Sequence, residues 1–123
     1  MKGAARDAFV EHVLDLLGAL GPMRARKMFG GWGIYANEVF MAIVAYDTLW
    51  FKVDASSRPR YEAAGSRPFQ PYEGRETVMS YWEVPGDVID DREAMVEWAR
   101  EAVGAALRAA ATKSSARRAG KRR

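Results

Sequence analysis

The chain contains no cysteine. A disulfide framework and a thiolate zinc site are therefore excluded, and the composition suits a reducing compartment. Histidine is almost as scarce, with one residue, His12. Asp15 stands three positions beyond it, but a general base needs an oriented imidazole beside a nucleophile or a bound water. No such nucleophile is near, so a solvated histidine at the border of a helix is favoured over a catalytic or metal-binding one. No apolar run approaches the ~18–20 residues needed to span a bilayer. The opening stretch MKGAARDAFVEHVLDLLGAL is interrupted by Asp7, Glu11, His12 and Asp15, which breaks any secretory h-region. These absences lead to the expectation of a soluble, cytoplasmic protein with no membrane contact, no metal and no cofactor.

What is present is an ordinary globular balance, 49% apolar and 28% charged, in 123 residues. That length suits one domain with a single core. Charge is distributed unevenly. Residues 112–123, TKSSARRAGKRR, hold Lys113, Arg117, Arg118, Lys121, Arg122 and Arg123 and no acid. Removing these six leaves 13 of the 19 cations against all 16 acids, a body of about −3 in residues 1–111. The basicity belongs to the tail. A segment of this composition is expected to be disordered, and it reads either as an arm that binds DNA weakly and without sequence preference through the phosphates, or as a solubilising or incidental tail.

Hydrophobic periodicity organises the rest. Phe9, Val13, Leu16, Leu17 and Leu20 recur at helical spacing, giving a first helix over 5–20 that Gly21-Pro22 ends. Residues 23–29 are ambiguous, with an edge strand as one reading. Gly31–Ala36, Val39–Tyr46 and Leu49–Val53 read as three strands joined by turns at Asn37-Glu38 and Asp47-Thr48. A short helix follows over 55–64, with Pro59 in its first turn and Gly65 at its C-cap. Two further strands are expected at 68–72 and 76–84, with a turn at Gly74. The last helix is expected from Arg92 to Ala111, capped by Asp90 with Glu93 as reciprocal partner. Met95, Trp98, Ala102, Ala105, Ala106 and Ala109 form its small-residue face. The order is α-β-β-β-α-β-β-α, an α+β domain.

Candidate motifs are few. Gly30, Gly31 and Gly33 suggest a phosphate loop, but they lead into a strand and no Lys-Ser/Thr follows, so close backbone packing is favoured. Asp87, Asp90, Asp91, Glu93 and Glu97 lack the spacing of a calcium loop and suit helix capping. The aromatics, from Trp32 and Tyr35 through Tyr81, Trp82 and Trp98, lack the basic-aromatic string of an RNA-recognition sheet. An exposed row of them would fit a dimer or partner surface. No catalytic set is apparent. Catalysis would require a deep pocket gathering Lys52, Asp54 and Tyr81, with Lys52 and Arg58 otherwise surface candidates.

The string Arg26-Lys27-Met28-Phe29-Gly30-Gly31-Trp32-Gly33-Ile34-Tyr35 resembles the opening of the TfoX N-terminal domain, the family of the TfoX/Sxy competence regulators. The resemblance continues in order through Phe40–Val44, through Leu49-Trp50-Phe51-Lys52-Val53-Asp54 and through Gly65–Phe69. Met79-Ser80-Tyr81-Trp82-Glu83-Val84-Pro85 and Trp98-Ala99-Arg100-Glu101-Ala102 complete it. It implies a curved antiparallel sheet with flanking helices, similar to secretion chaperones. It also implies a non-enzymatic role in transcription and DNA transformation, exercised through a protein partner such as a transcription regulator. Those regulators carry a second, helical domain, so this chain resembles a single-domain version. The alternative expectation is a dimeric, chaperone-like adaptor without a nucleic-acid role.

Overall fold

The computed structural model describes residues 8–28, 30–70 and 78–121. Six antiparallel strands form one sheet in the order β1-β2-β3-β4-β6-β5. They are β1 Met23–Met28, β2 Gly31–Ala36, β3 Val39–Ala45, β4 Thr48–Lys52, β5 Pro68–Phe69 and β6 Val78–Glu83. Helices α1 Ala8–Leu17, α2 Arg58–Ala63, α3 Gly86–Ile89 and α4 Arg92–Lys121 complete the α+β domain. The ambiguous segment before the glycines is thus the edge strand β1, which adds one strand to the expected order. The turn placed at Gly74 and the strand end at Tyr72 lie outside the described residues, as does Phe29.

Two-residue loops set the register of the meander. Asn37 and Glu38 (φ 54° and 75°) join β2 to β3, and Tyr46 and Asp47 (φ 57° and 56°) join β3 to β4. Positive φ at both central residues is the type I′ geometry, whose twist matches that of the strands. The second turn therefore sits at Tyr46-Asp47, one residue earlier than expected. Glu38 occupies a conformation that a side chain disfavours by about 1 kcal/mol, and its ion pair with Arg24 is exposed and so adds little. Glu38→Gly should raise stability by about 0.5–1 kcal/mol, read as a higher thermal midpoint.

The nearly unbroken apolar run of β3 has a structural reason. Ile34 pairs with Ala42 but Tyr35 pairs with Phe40, so Met41 is an extra residue in a β-bulge. Met41 and Ala42 are consequently both buried against the helices. The core under that face gathers Val10, Val13 and Leu17 of α1, Ile34, Val44, Leu49 and Phe51 of the sheet, and Met95, Ala99, Ala102 and Ala106 of α4. The α4 residues recur at three- and four-residue intervals, and three of the four are alanines, so the helix axis can approach the sheet closely.

Helix ends follow local chemistry. Gly65 N–H donates to the Glu62 carbonyl and Ser66 N–H to the Tyr61 carbonyl, a Schellman stop for α2 with Gly65 at φ 77°. The cap of α4 differs from expectation. Asp91, not Asp90, accepts the N–H groups of Glu93 (3.1 Å) and Ala94 (3.2 Å). Asp90 is instead the C-cap of α3, a four-residue turn that periodicity is too short to reveal. The end of α4 is also corrected: the helix continues to Lys121 rather than stopping near Ala111, so most of the tail read as disordered is helical backbone. The run RAAATKSSARRAGK supplies the reason, since Ala, Arg and Lys are strong helix formers and no proline intervenes.

Candidate docking face and its surroundings

Alternation along paired strands sends half of each strand's side chains to the face opposite the helices. Tyr35 of β2 lies opposite Phe40 of β3, Ile43 opposite Trp50 of β4, and Lys52 opposite Tyr81 of β6. Tyr35 stacks on Phe40 at 5.1 Å between ring centroids, and Phe40 meets Tyr81 at 5.5 Å. Toward β5, Phe69 packs edge-on against Trp50 at 5.0 Å and reaches Tyr46 at 6.4 Å. These rings form a second apolar layer. Trp50 and Tyr81 are 3% and 7% exposed, yet neither belongs to the core beneath the helices. Tyr46, at the rim, is 64% exposed.

Cations cover this layer. The Arg24 guanidinium lies 4.6 Å from the Tyr35 ring centroid, the Lys52 ammonium 5.0 Å from Tyr81, and the Arg67 guanidinium 5.3 Å from Trp50. Each covers an aromatic face, and two of them also pair with a carboxylate, Arg24 with Glu38 (3.3 Å) and Arg67 with Glu83 (2.9 Å). Burial first, and then the neighbouring Tyr35, push the Tyr81 phenol up to about 12. It is therefore a neutral hydroxyl throughout the physiological range.

Two of the three glycines before this face, Gly31 and Gly33, are sites of close approach. A Cβ on Gly31 would run into the Val44 carbonyl oxygen and come within 3.2 Å of the Ala45 Cβ. On Gly33 it would lie 2.6 Å from the Met28 Cε and 2.8 Å from Phe40 Cε1. Gly30 takes φ 82° in the turn between β1 and β2. Close packing accounts for Gly31 and Gly33, and the left-handed backbone for Gly30, where a Cβ would meet nothing within 4 Å.

Lys52 and Tyr81 are brought together, but Asp54 is not. It lies beyond the end of β4, at the turn into α2. Its Oδ1 accepts Ser56 N–H (3.1 Å), Ser57 N–H (3.2 Å) and the Ser56 hydroxyl (2.7 Å), while Oδ2 accepts Arg108 Nε–H of α4 (2.7 Å). Asp54 N–H donates to the buried Ser57 hydroxyl in return. This is an elbow fastened to the last helix. Sequence reasoning missed Arg108, for which a partner 54 residues away leaves no local signal. The Arg108 guanidinium, then the Ser56 hydroxyl, hold the Asp54 carboxyl well below its ordinary value of 3.8. Because the folded state resists protonation here, the stabilisation is complete above that value and is lost as pH falls below it. Asp54→Ala should cost about 1–2 kcal/mol at neutral pH through the capping bonds alone. The gap from the parent should narrow below pH ~3, as denaturant titrations at several pH values would show.

Trp98 belongs to the helix side. It meets Tyr61 edge-on at 4.8 Å, with the Arg60 guanidinium 4.9 Å from its ring. Arg60 also bridges Glu97 (3.5 Å) and Glu101 (3.2 Å), tying α2 to α4. Pro85 is the N-cap of α3, its carbonyl accepting Val88 N–H. His12 is exposed, and no cluster of three or more potential metal ligands occurs among the described residues. No helix among the described residues is long and apolar enough to cross a membrane. Lys113, Arg117 and Lys121 recur every four residues along the helical backbone that extends α4, with Arg118 between them. Arg122 and Arg123 lie outside the described residues.

The family model for the TfoX N-terminal domain matches residues 15–106, from within α1 to the middle of α4. No curated protein matches the chain.

Proposed function

The chain belongs to the TfoX N-terminal domain family, and from that membership we propose that it is a non-enzymatic regulator of transcription and competence. It acts by docking a protein partner on the outer face of its sheet. The observation that carries this reading is the aromatic layer of Tyr35, Phe40, Tyr81 and Trp50 overlaid by Arg24, Lys52 and Arg67. An apolar patch under cations suits a partner whose own surface is acidic around an apolar centre, such as a transcription regulator. In the same reading, Lys113, Arg117, Arg118, Lys121, Arg122 and Arg123 add weak DNA contact without sequence preference. Specificity then rests with the partner.

Fluorescence anisotropy of a labelled duplex, across a salt series, tests the nucleic-acid component. With all six cations on phosphates, log K should fall with log[salt] at a slope near ~−5. A chain ending at Ala111 should lose the binding. Absence of binding at low salt in both forms would remove DNA from the reading. A second reading, a chaperone-like homodimer, draws on the high exposure of Tyr46 beside Phe69. A concentration-dependent dimer in sedimentation, abolished by Phe40→Asp, would favour it over the regulator.

A further inference from the structure

A groove on another side of the molecule has a lining with a different chemistry. It is a half-open cavity of about 360 Å³ bounded by the 3-10 turn Gly18–Leu20 and the residues leading into β1, the β2–β3 hairpin, and α4. Its walls are mostly aliphatic: Leu20, Met23, Val39, Val103 and Leu107. None of these five is fully buried, and Leu107 is 52% exposed, one of only two large apolar side chains so exposed among the described residues. One charged residue lines the groove, Arg100, and no acid does. Arg60, Arg92 and Arg108 each reach a carboxylate. Arg100 has no ion pair among the described residues, so its positive charge is uncompensated by them.

We propose that this groove binds a small amphiphilic carboxylate, an aliphatic chain of medium length ending in one anionic group. The aliphatic chain lies along Val103 and Leu107 and covers Leu20, Met23 and Val39, while the carboxylate meets the Arg100 guanidinium in a charge-assisted pair. The volume is at the small end of ligand cavities. From Arg100 to Leu107 the helix rises about 10 Å, which sets the length of the apolar arm. A single cation selects a monoanion. The lining contains no aromatic ring, so it offers a nucleobase nothing to stack on. This site is separate from the outer sheet face and does not depend on the function proposed for that face.

Decanoate is the probe, titrated below its micellar range into the full chain. Calorimetry gives stoichiometry, and amide shifts in NMR give location. The expected result is one site per chain, with shifts confined to residues 20–23, 36–39 and 100–107. Arg100→Gln should weaken binding tenfold or more without moving the thermal midpoint, and decyltrimethylammonium, with the same chain and opposite charge, should bind at least tenfold more weakly. The proposal is overturned by absence of binding, by shifts centred elsewhere, by equal affinity in Arg100→Gln, or by equal affinity for the two amphiphiles. It is equally overturned if shifts in the groove follow protein concentration rather than decanoate, since the occupant is then a second copy of the chain.

Discussion

Gly31→Ala is expected to destabilise the protein by about 3 kcal/mol, at the upper end of ordinary overpacking. For a domain of this size the thermal midpoint should fall by about 10 °C. The added methyl meets the Val44 carbonyl oxygen of the neighbouring strand. That oxygen is backbone within the sheet, so it cannot yield without disturbing the β2–β3 ladder. Gly33→Ala provides the internal control. Its nearest neighbours are the Met28 methyl and the edge of the Phe40 ring. The methionine end can swing away at small cost, so Gly33→Ala should cost less than half as much as Gly31→Ala. Equal midpoints for the two variants would show that backbone proximity at Gly31 is not what restricts the position. Gly33→Ala also displaces Phe40, so any effect on partner docking should be larger for it than for Gly31→Ala at matched stability.

Phe51→Ala should be the most damaging single truncation, with a loss of about 3–5 kcal/mol. Phe51 is 0% exposed and lies on β4 between Ala42 of β3 and Trp82 of β6, beneath the helices. Removing its ring forfeits the burial of the ring and leaves a cavity that rigid strands on both sides cannot close. Small domains have only about 5–15 kcal/mol of stability, so the variant should unfold at markedly lower denaturant while keeping its slope. Phe51→Leu, which fills most of the volume, should recover more than half of the loss. A cost below ~1 kcal/mol for Phe51→Ala would contradict the packing described here.

Much of this architecture was written in local patterns. Alternation along Leu49 to Val53, the paired turn residues Asn37-Glu38 and the small-residue spacing of α4 each reflect forces acting within a few residues. The Gly65 stop is local too, because a C′ glycine needs only its own helix to complete a Schellman motif. These patterns were enough to order the elements and to carry the family resemblance. Shorter features lay beneath their resolution. Helix α3 spans one turn, and its presence moved the cap of α4 from Asp90 to Asp91. Edge strand β1 reads MRARKM, polar enough to hide its period. The continuation of α4 to Lys121 was masked by charge, which suggests disorder even where the residues are good helix formers.

The sequence by itself determined the α+β class, the strand meander, most of the buried stripe of α4 (fully buried Ala99 was not among the residues read for it), the acidic body with its basic end, and the family. Only the tertiary structure decided which strands are neighbours across long separations, placing β6 between β4 and β5. Only there do Arg24, Tyr35, Phe40, Tyr81 and Lys52 become one surface, Asp54 turn away from Lys52 toward Arg108, and Arg100 emerge without a counter-ion among the described residues beside an aliphatic groove. The physical reason is range. Propensity, capping and periodicity act between residues a few positions apart, whereas stacking, ion pairing and groove formation depend on chain segments that meet only after the core has excluded water.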